Sequence, residues 1–239
     1  MSKELIENGK RSAAYRAVDE HISPDNQVVG IGSGSTVVYV VERILQKPEL
    51  RHITYVPTSF QSKLLILDNG LKLGSIEQNH VIDVTIDGAD EVDDELNAIK
   101  GGGACQFQEK LVAEAAKKFI LVADFRKESQ RLGTQWTQGV PIEVVPMCYK
   151  TVMNKIKNAL SVKPNCVNLR MAVKKAGPVV TDNGNFVVDA DFGQLQDPAS
   201  LLKEIKLLTG VYEVGLFCQM AAMAYFGEQD GSVNVRERQ

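Results

Sequence analysis

Gln27-Val-Val-Gly-Ile31 runs straight into Gly32-Ser-Gly34-Ser-Thr36, and Val37, Val40, Val41, Ile44 and Leu45 then recur at helical spacing until Pro48. A short apolar run, a glycine loop and an apolar helical stripe predict a buried strand that turns tightly into a helix. The grammar repeats along the first half of the chain. Ile53–Val56, Val81–Ile86 and Phe119–Ala123 read as further strands. Ser59 is placed to cap a helix carrying Leu64, Leu65 and Leu67 that Asn69-Gly70 ends, and a helix around Phe107 to Ala116 precedes the fourth strand. Glu4 to His21 reads as a leading helix, with Leu5, Ala13, Ala14, Ala17 and Val18 on its apolar side. Strands alternating with helices predict an α/β fold: a doubly wound, mostly parallel, Rossmann-like sheet.

Beyond Gln130 the pattern changes. A loop from Thr134 to Gly139, a strand at Ile142–Val145 and a helix from Tyr149 to Leu160 come first. Val167–Val173 reads as a strand, Val179–Asp182 and Asn185–Asp189 as a hairpin across Asn183-Gly184, and Pro198–Leu208 as a helix before a strand at Gly210–Phe217. This predicts a smaller α+β domain at 133–208 inserted into a Rossmann-like domain made of 1–132 and 209–239, with a C-terminal hairpin returning to the first sheet. Subunit contacts are the role expected of the small domain.

With 27 Lys and Arg against 30 Asp and Glu in 239 residues, the net charge of −3 offers no broad attraction to nucleic acid or an anionic membrane. Any anion must be held locally. The acidic N-terminus does not read as a secretory signal and no apolar run approaches the length of a membrane span, so a cytoplasmic protein is expected. The cysteines at 105, 148, 166 and 218 and the histidines at 21, 52 and 80 match no metal-ligand spacing.

In an open parallel sheet, ligands bind at the loops leaving the carboxyl ends of strands. The glycine loop opens a helix, whose N–H groups attract an anion, and Ser33, Ser35 and Thr36 add hydroxyls. Ser35 stands where a dinucleotide fingerprint needs glycine, and no Gly-Lys-Ser/Thr is present, which leaves a single small phosphate or merely a capped turn. Asp87-Gly-Ala-Asp90-Glu91 lacks the order of a calcium loop; it reads either as a sugar-hydroxyl binder or as a turn within a solvated acidic run reaching Glu95. Lys100 precedes Gly101, Gly102 and Gly103, an ammonium beside freely approachable backbone or else a hinge with a surface lysine. Periodicity makes Glu109 a solvated helix residue, since Phe107, Leu111, Val112 and Ala115 define the apolar face. Lys127, next to Arg126, reads as a surface residue at the ligand edge.

Together these segments resemble the type A ribose-5-phosphate isomerases. The matching elements are Gly32-Ser-Gly34-Ser-Thr36, Asp87 to Glu91, Ile99 to Ala104, Gln108-Glu109-Lys110, Ala123-Asp-x-x-Lys127, Pro141 to Pro146, Val180 to Asn185 and Val214-Gly-Leu-Phe217, in family order along nearly the whole chain. The resemblance implies interconversion of ribose 5-phosphate and ribulose 5-phosphate in the pentose phosphate pathway, without metal or organic cofactor, by a homo-oligomer (dimer or tetramer). It implies that Glu109 is the catalytic base. Asp87 and Asp90 would lie on the sugar hydroxyls, with Asp87 assisting ring opening, and Lys100 would face the enediolate. The substrate shell would be Ser33, Gly34, Ser35 and Thr36, then Gly88 and Ala89 between the two aspartates, then Gly101 to Gly103, and Lys127. No basic residue of the first helix is assigned to the phosphate. Two alternatives share the superfamily's folds: a sugar-phosphate sensor, which would attach a DNA-binding domain where only about 26 residues precede the first strand, and a coenzyme A transferase-like enzyme working through a glutamyl thioester.

Overall fold

The computed structural model describes residues 3–238. In chain order they form α1 (Lys3–His21), β1 (Val28–Ile31), α2 (Val37–Leu45), β2 (Thr54–Pro57), α3 (Phe60–Asp68), β3 (Lys72–Leu73), β4 (Val84–Gly88), β5 (Glu91–Val92) and β6 (Ala98–Ile99). Next come α4 (Gln106–Glu114), β7 (Phe119–Asp124), β8 (Val140–Val144), α5 (Tyr149–Ala159), β9 (Cys166–Leu169) and β10 (Phe186–Asp191). The chain closes with α6 (Pro198–Lys206), β11 (Val211–Val214), β12 (Leu216–Phe217), β13 (Met223–Gly227) and β14 (Val233–Glu237).

The first compact unit takes in the chain up to Ala89, Gln108–Glu128 and the stretch from Gln219 on. Its sheet runs β14-β13-β7-β4-β1-β2-β3, parallel throughout except where β14 pairs antiparallel with β13 at the edge. Strand residues alternate between two cores. Val29, Ile31 and Tyr55 join Ala13, Ala17, Val40 and Ile44 of α1 and α2, whereas Val56 joins Ile82 and Val112 of α4. Small residues let α1 approach closely: a Cβ on Gly227 would fall 1.8 Å from the Gly9 carbonyl oxygen, and one on Gly9 2.7 Å from that of Gly227.

The second unit comprises Asp90–Phe107 and Ser129–Cys218, more chain than the segment 133–208 expected from sequence. Its antiparallel sheet, β11-β8-β10-β9, buries Ile142, Val144 and Val188 against Val152 and Ile156 of α5 and Leu201 and Ile205 of α6. A three-stranded sheet, β12-β6-β5, brings residues 90–107 into the same unit.

Several expected boundaries move for identifiable reasons. The strand read at Val81–Ile86 is β4, shifted toward Gly88: Val81 is exposed, and the Asp83 carboxylate accepts the Gln27 and Val28 N–H groups before the ladder begins. In α3, Ile66 and Ser62 turn inward while Leu64 and Leu67 are exposed, so the leucines do not mark the buried face. The Asn183-Gly184 turn closes through a bond from Gly184 N–H to the Thr181 carbonyl, but its two arms do not form a hairpin. The second arm, β10, pairs with β8 and β9, while Thr181, Asn183 and Asn185 turn their side chains onto the buried Glu143 carboxylate at 2.8, 2.9 and 3.0 Å. Gly210–Phe217 divides at Gly215, whose N–H binds the Pro141 carbonyl at 2.7 Å and whose own carbonyl accepts Lys100 N–H at 2.9 Å.

Because the α1–β13 contact has no room for a methyl group, Gly227→Ala is expected to lower unfolding stability by about 1–3 kcal/mol, as overpacking does. Urea denaturation checks this. An unchanged midpoint would mean that α1 can withdraw freely.

Candidate active site

In the first unit the glycine loop is built around Asp87. A Cβ at Gly32 would sit 2.0 Å from Asp87 Oδ1, so only glycine lets that carboxylate under the turn. Oδ1 accepts the N–H groups of Ser33 at 2.9 Å and Gly88 at 2.7 Å, and Asp87 is fully buried. The Ser33 hydroxyl turns to Thr58 Oγ1 (2.8 Å) and Ser59 Oγ (2.6 Å), which fixes its rotamer. Gly34 takes φ +103°, and its N–H donates to Gln61 Oε1 at 2.8 Å. Ser35 is exposed; Thr36, at the head of α2, is buried and caps nothing with its side chain. The loop is therefore not a simply capped turn, and the leading N–H groups of α2 remain available to an anion.

Glu109 departs most from the periodicity. It lies in the first turn of α4 and is 5% exposed, with Lys110 also buried, while Leu111, assigned to the apolar face, is exposed. The helix is anchored by Val112 against Val56 and Ile82, and its first turn buries two polar residues, Gln106 and Glu109. Lys127 is half-buried in the turn after β7, beside Arg126, whose guanidinium grips Asp124.

Lys10 was not singled out by the sequence. It is 9% exposed, its ammonium donates to Glu7 at 2.8 Å, and the bonds from Lys10 and Tyr39 hold the Glu7 carboxyl below its ordinary pKa. Its neighbour Gly9 packs on Gly227 and lies near Asp124 Cβ, which brings Lys10 to the carboxyl ends of β13 and β7. The signal available was the glycine one residue earlier, a helix breaker retained inside a helix.

In the second unit, Asp90 Oδ2 accepts Gly102 N–H at 2.7 Å. Lys100 is 2% exposed, with its Nζ 5.4 Å from the centroid of the Phe217 ring, so it is neither hinge nor surface residue. A Cβ at Gly102 would meet Asp90 Oδ1 at 2.6 Å and the Trp136 ring at 2.9 Å; Gly103 is exposed, with nothing within 4 Å of that position.

The acidic run is not a solvated face. Glu91 is fully buried and its carboxylate collects four backbone N–H groups, from Gly133 (2.8 Å), Thr134 (3.0 Å), Gln135 (2.9 Å) and Trp136 (3.1 Å). Asp93 is buried as well, accepting Glu95 and Asn97 N–H groups, and burial raises its pKa. Only Asp94 and Glu95 face solvent. Among the described residues no group of three or more His, Cys, Asp and Glu side chains is placed to hold a metal ion.

Comparison with known proteins gives one consistent answer. The family model described as Ribose 5-phosphate isomerase A (phosphoriboisomerase A) matches residues 54–231, which include the Asp87, Lys100, Glu109 and Lys127 segments. A ribose-5-phosphate isomerase of Candida albicans is 56% identical over 237 residues, covering 98% of each chain, and that of Mycosarcoma maydis is 56% identical over 97% of this chain and 81% of its own. Among solved structures, a D-ribose-5-phosphate isomerase in complex with phospho-erythronic acid aligns at TM-score 0.89 with 39% identity, and the Plasmodium falciparum ribose 5-phosphate isomerase at 0.89 with 34%; each covers 100% of both chains.

The Glu91 cradle supplies a direct test. Removing its carboxylate strands four backbone N–H groups, and Glu91→Ala is expected to destabilise by at least ~2–4 kcal/mol. Trp136 is the single tryptophan. Its emission should shift to the red in Glu91→Ala under native conditions, and an unchanged spectrum would show that the loop holds without Glu91.

Proposed function

Since the chain belongs to the ribose 5-phosphate isomerase A family, whose members interconvert ribose 5-phosphate and ribulose 5-phosphate, we propose that it performs this isomerisation by proton transfer through a cis-enediolate, with Glu109 as the base. That the chain is an aldose–ketose isomerase of this specificity follows from relatives matching 97–98% of it. The sensor and transferase alternatives rested on the superfamily's folds alone. The observation that carries the assignment is Glu109 itself: a carboxylate kept 5% exposed, against the pattern of its own helix.

Isomerisation removes the proton from C2 of the open-chain aldose and delivers one to C1. On this reading Glu109 takes the first proton and returns it, and Lys100 offsets the charge that develops on the oxygens. Asp87 and Asp90 hold the sugar hydroxyls, and Asp87 assists ring opening. The phosphate is held by Ser33 to Thr36 at the head of α2 and by Lys127. The buried Lys10, paired with half-buried Glu7 at the same ends of the strands, is read as a further cation there. Gly88, Ala89 and Gly101 to Gly103 let backbone approach the substrate. Phospho-erythronic acid, bound by a solved relative, supports a site that takes phosphate at one end and an oxygen-rich anion at the other.

The scheme uses no metal or organic cofactor and no nucleic-acid or membrane partner. We read the protein as a cytoplasmic homo-oligomer, dimer or tetramer. Exposed Met147, Val173 and Leu207 of the second unit support subunit contacts, and no helix among the described residues is long and apolar enough to cross a membrane.

Glu109→Gln preserves size and hydrogen bonding but removes the base, so kcat should fall at least ~10²-fold with KM little changed. Near-normal turnover by the folded variant would falsify the assignment. The route is tested separately: exhaustive chelation should leave activity intact, and reaction in deuterated water should place solvent deuterium in the product, partly if transfer is shielded. Activity lost on chelation and restored by metal, with no deuterium uptake over prolonged equilibration, would point to a hydride shift instead.

A further inference from the structure

Arg170 directly follows β9, and its backbone is fixed on both sides, its N–H on the Val187 carbonyl at 2.8 Å and its carbonyl on Val179 N–H at 2.9 Å. Its guanidinium forks onto Asp189 of β10, Nε to Oδ2 at 2.8 Å and Nη2 to Oδ1 at 2.5 Å, with both side chains about five-sixths buried. The two N–H groups of Nη1 reach successive carbonyls of the glycine triplet, Gly101 at 2.9 Å and Gly102 at 3.0 Å. A planar fork held at one end by a carboxylate and presenting two parallel donors at the other is a geometry lysine cannot reproduce.

The consequence follows from the trans peptide, in which N–H points opposite to C=O. With both carbonyls drawn toward Arg170, the N–H groups of the same two peptide units, those of Gly102 and Gly103, face the other way. The Gly102 N–H donates to Asp90. The Gly103 N–H belongs to an exposed residue with open space around its Cα. A cation on a carbonyl polarises the whole peptide and strengthens its N–H as a donor. We propose that Arg170, clamped by Asp189, is a positioning residue: it turns and polarises the Gly101–Gly103 backbone so that Gly103 N–H, beside Lys100, donates to the substrate oxygen that becomes negative in the enediolate. This rests on the enediolate reading above, and it gives the glycine triplet a directed role beyond close approach.

The test compares equilibrium binding with kinetics in Arg170→Met and Asp189→Asn. Two phosphorylated probes are used: phospho-erythronic acid, which carries a carboxylate, and ribitol 5-phosphate, which carries a neutral hydroxyl. Arg170→Met should lower kcat about 10- to 100-fold, below the loss expected from deleting an oxyanion donor outright, with KM within about threefold. Its Kd for phospho-erythronic acid should rise at least ~10-fold while that for ribitol 5-phosphate stays within ~2-fold. Asp189→Asn should move the same quantities in the same direction by less. Weakening of both probes alike with kcat preserved would reduce Arg170 to a structural brace, and no change in either would remove it from the site. If Arg170→Met does not fold, Arg170→Lys is read against the same criteria, with a smaller loss expected because one Nζ reaches one carbonyl. Probe binding needs no turnover, so the contrast holds or fails independently of Glu109, whose own assignment stands or falls on Glu109→Gln.

Discussion

A carboxylate taken out of water stays charged only where donors surround it, and desolvation costs several kcal/mol per ion even after relaxation. Between Asp87 and Asp93 three carboxylates are buried, and the donors that meet them include backbone N–H groups of nearby turns: Ser33 and Gly88 on Asp87, the loop 133–136 on Glu91, Glu95 and Asn97 on Asp93, where the Asn97 side-chain amide also donates. Asp90, less buried, takes Gly102. Each carboxylate thereby dictates a loop conformation. Without Glu91 four donors that converge on one point would have no reason to do so.

The glycines make this packing possible by what they lack. Gly32 leaves room for Asp87, Gly102 for Asp90 and Trp136, and Gly215 for the carbonyl of Lys100, which a Cβ would approach to 2.1 Å. Motifs with no evident chemistry acquire a purpose in these terms. Val214-Gly-Leu-Phe217 supplies the clearance beside Lys100 and the ring near its ammonium, and Val180 to Asn185 ties its turn to Glu143 of β8. Groups held this way are oriented before a substrate arrives, which is the condition under which dipoles stabilise a developing charge most.

The alternation of strands and helices was legible because burying a strand on both faces demands an apolar run, whatever packs on it. The glycine loop, the Ser59 cap and the returning hairpin β13–β14 were legible for similarly local reasons. Glu109 was not, because a helical wheel assumes that the buried face is apolar and this helix buries a polar first turn. Leu64 and Leu67 misled in the opposite sense, as apolar residues left exposed. Glu91 reads as one acid in a run of acids until its partners 42 to 45 residues away are known. Arg170 has still less signal: its carbonyl acceptors carry no side-chain identity and lie 69 and 68 residues off.

The same pairing logic bears on how an acidic chain accommodates an anion. Lys10 is tied to Glu7, Arg126 to Asp124 and Arg170 to Asp189, so the charge of each of these cations is matched locally. With a net charge of −3 there is no long-range attraction to compensate. Recognition of a sugar phosphate then falls to contacts made at hydrogen-bond distance, which the proposed scheme assigns above all to backbone N–H groups at the head of α2 and in the glycine triplet. Such donors do not titrate, and in the triplet a cation sits on the carbonyls of the same peptides. On the proposed reading, the carboxylate under the glycine loop and the guanidinium behind the triplet each act by orienting backbone donors, without touching the phosphate.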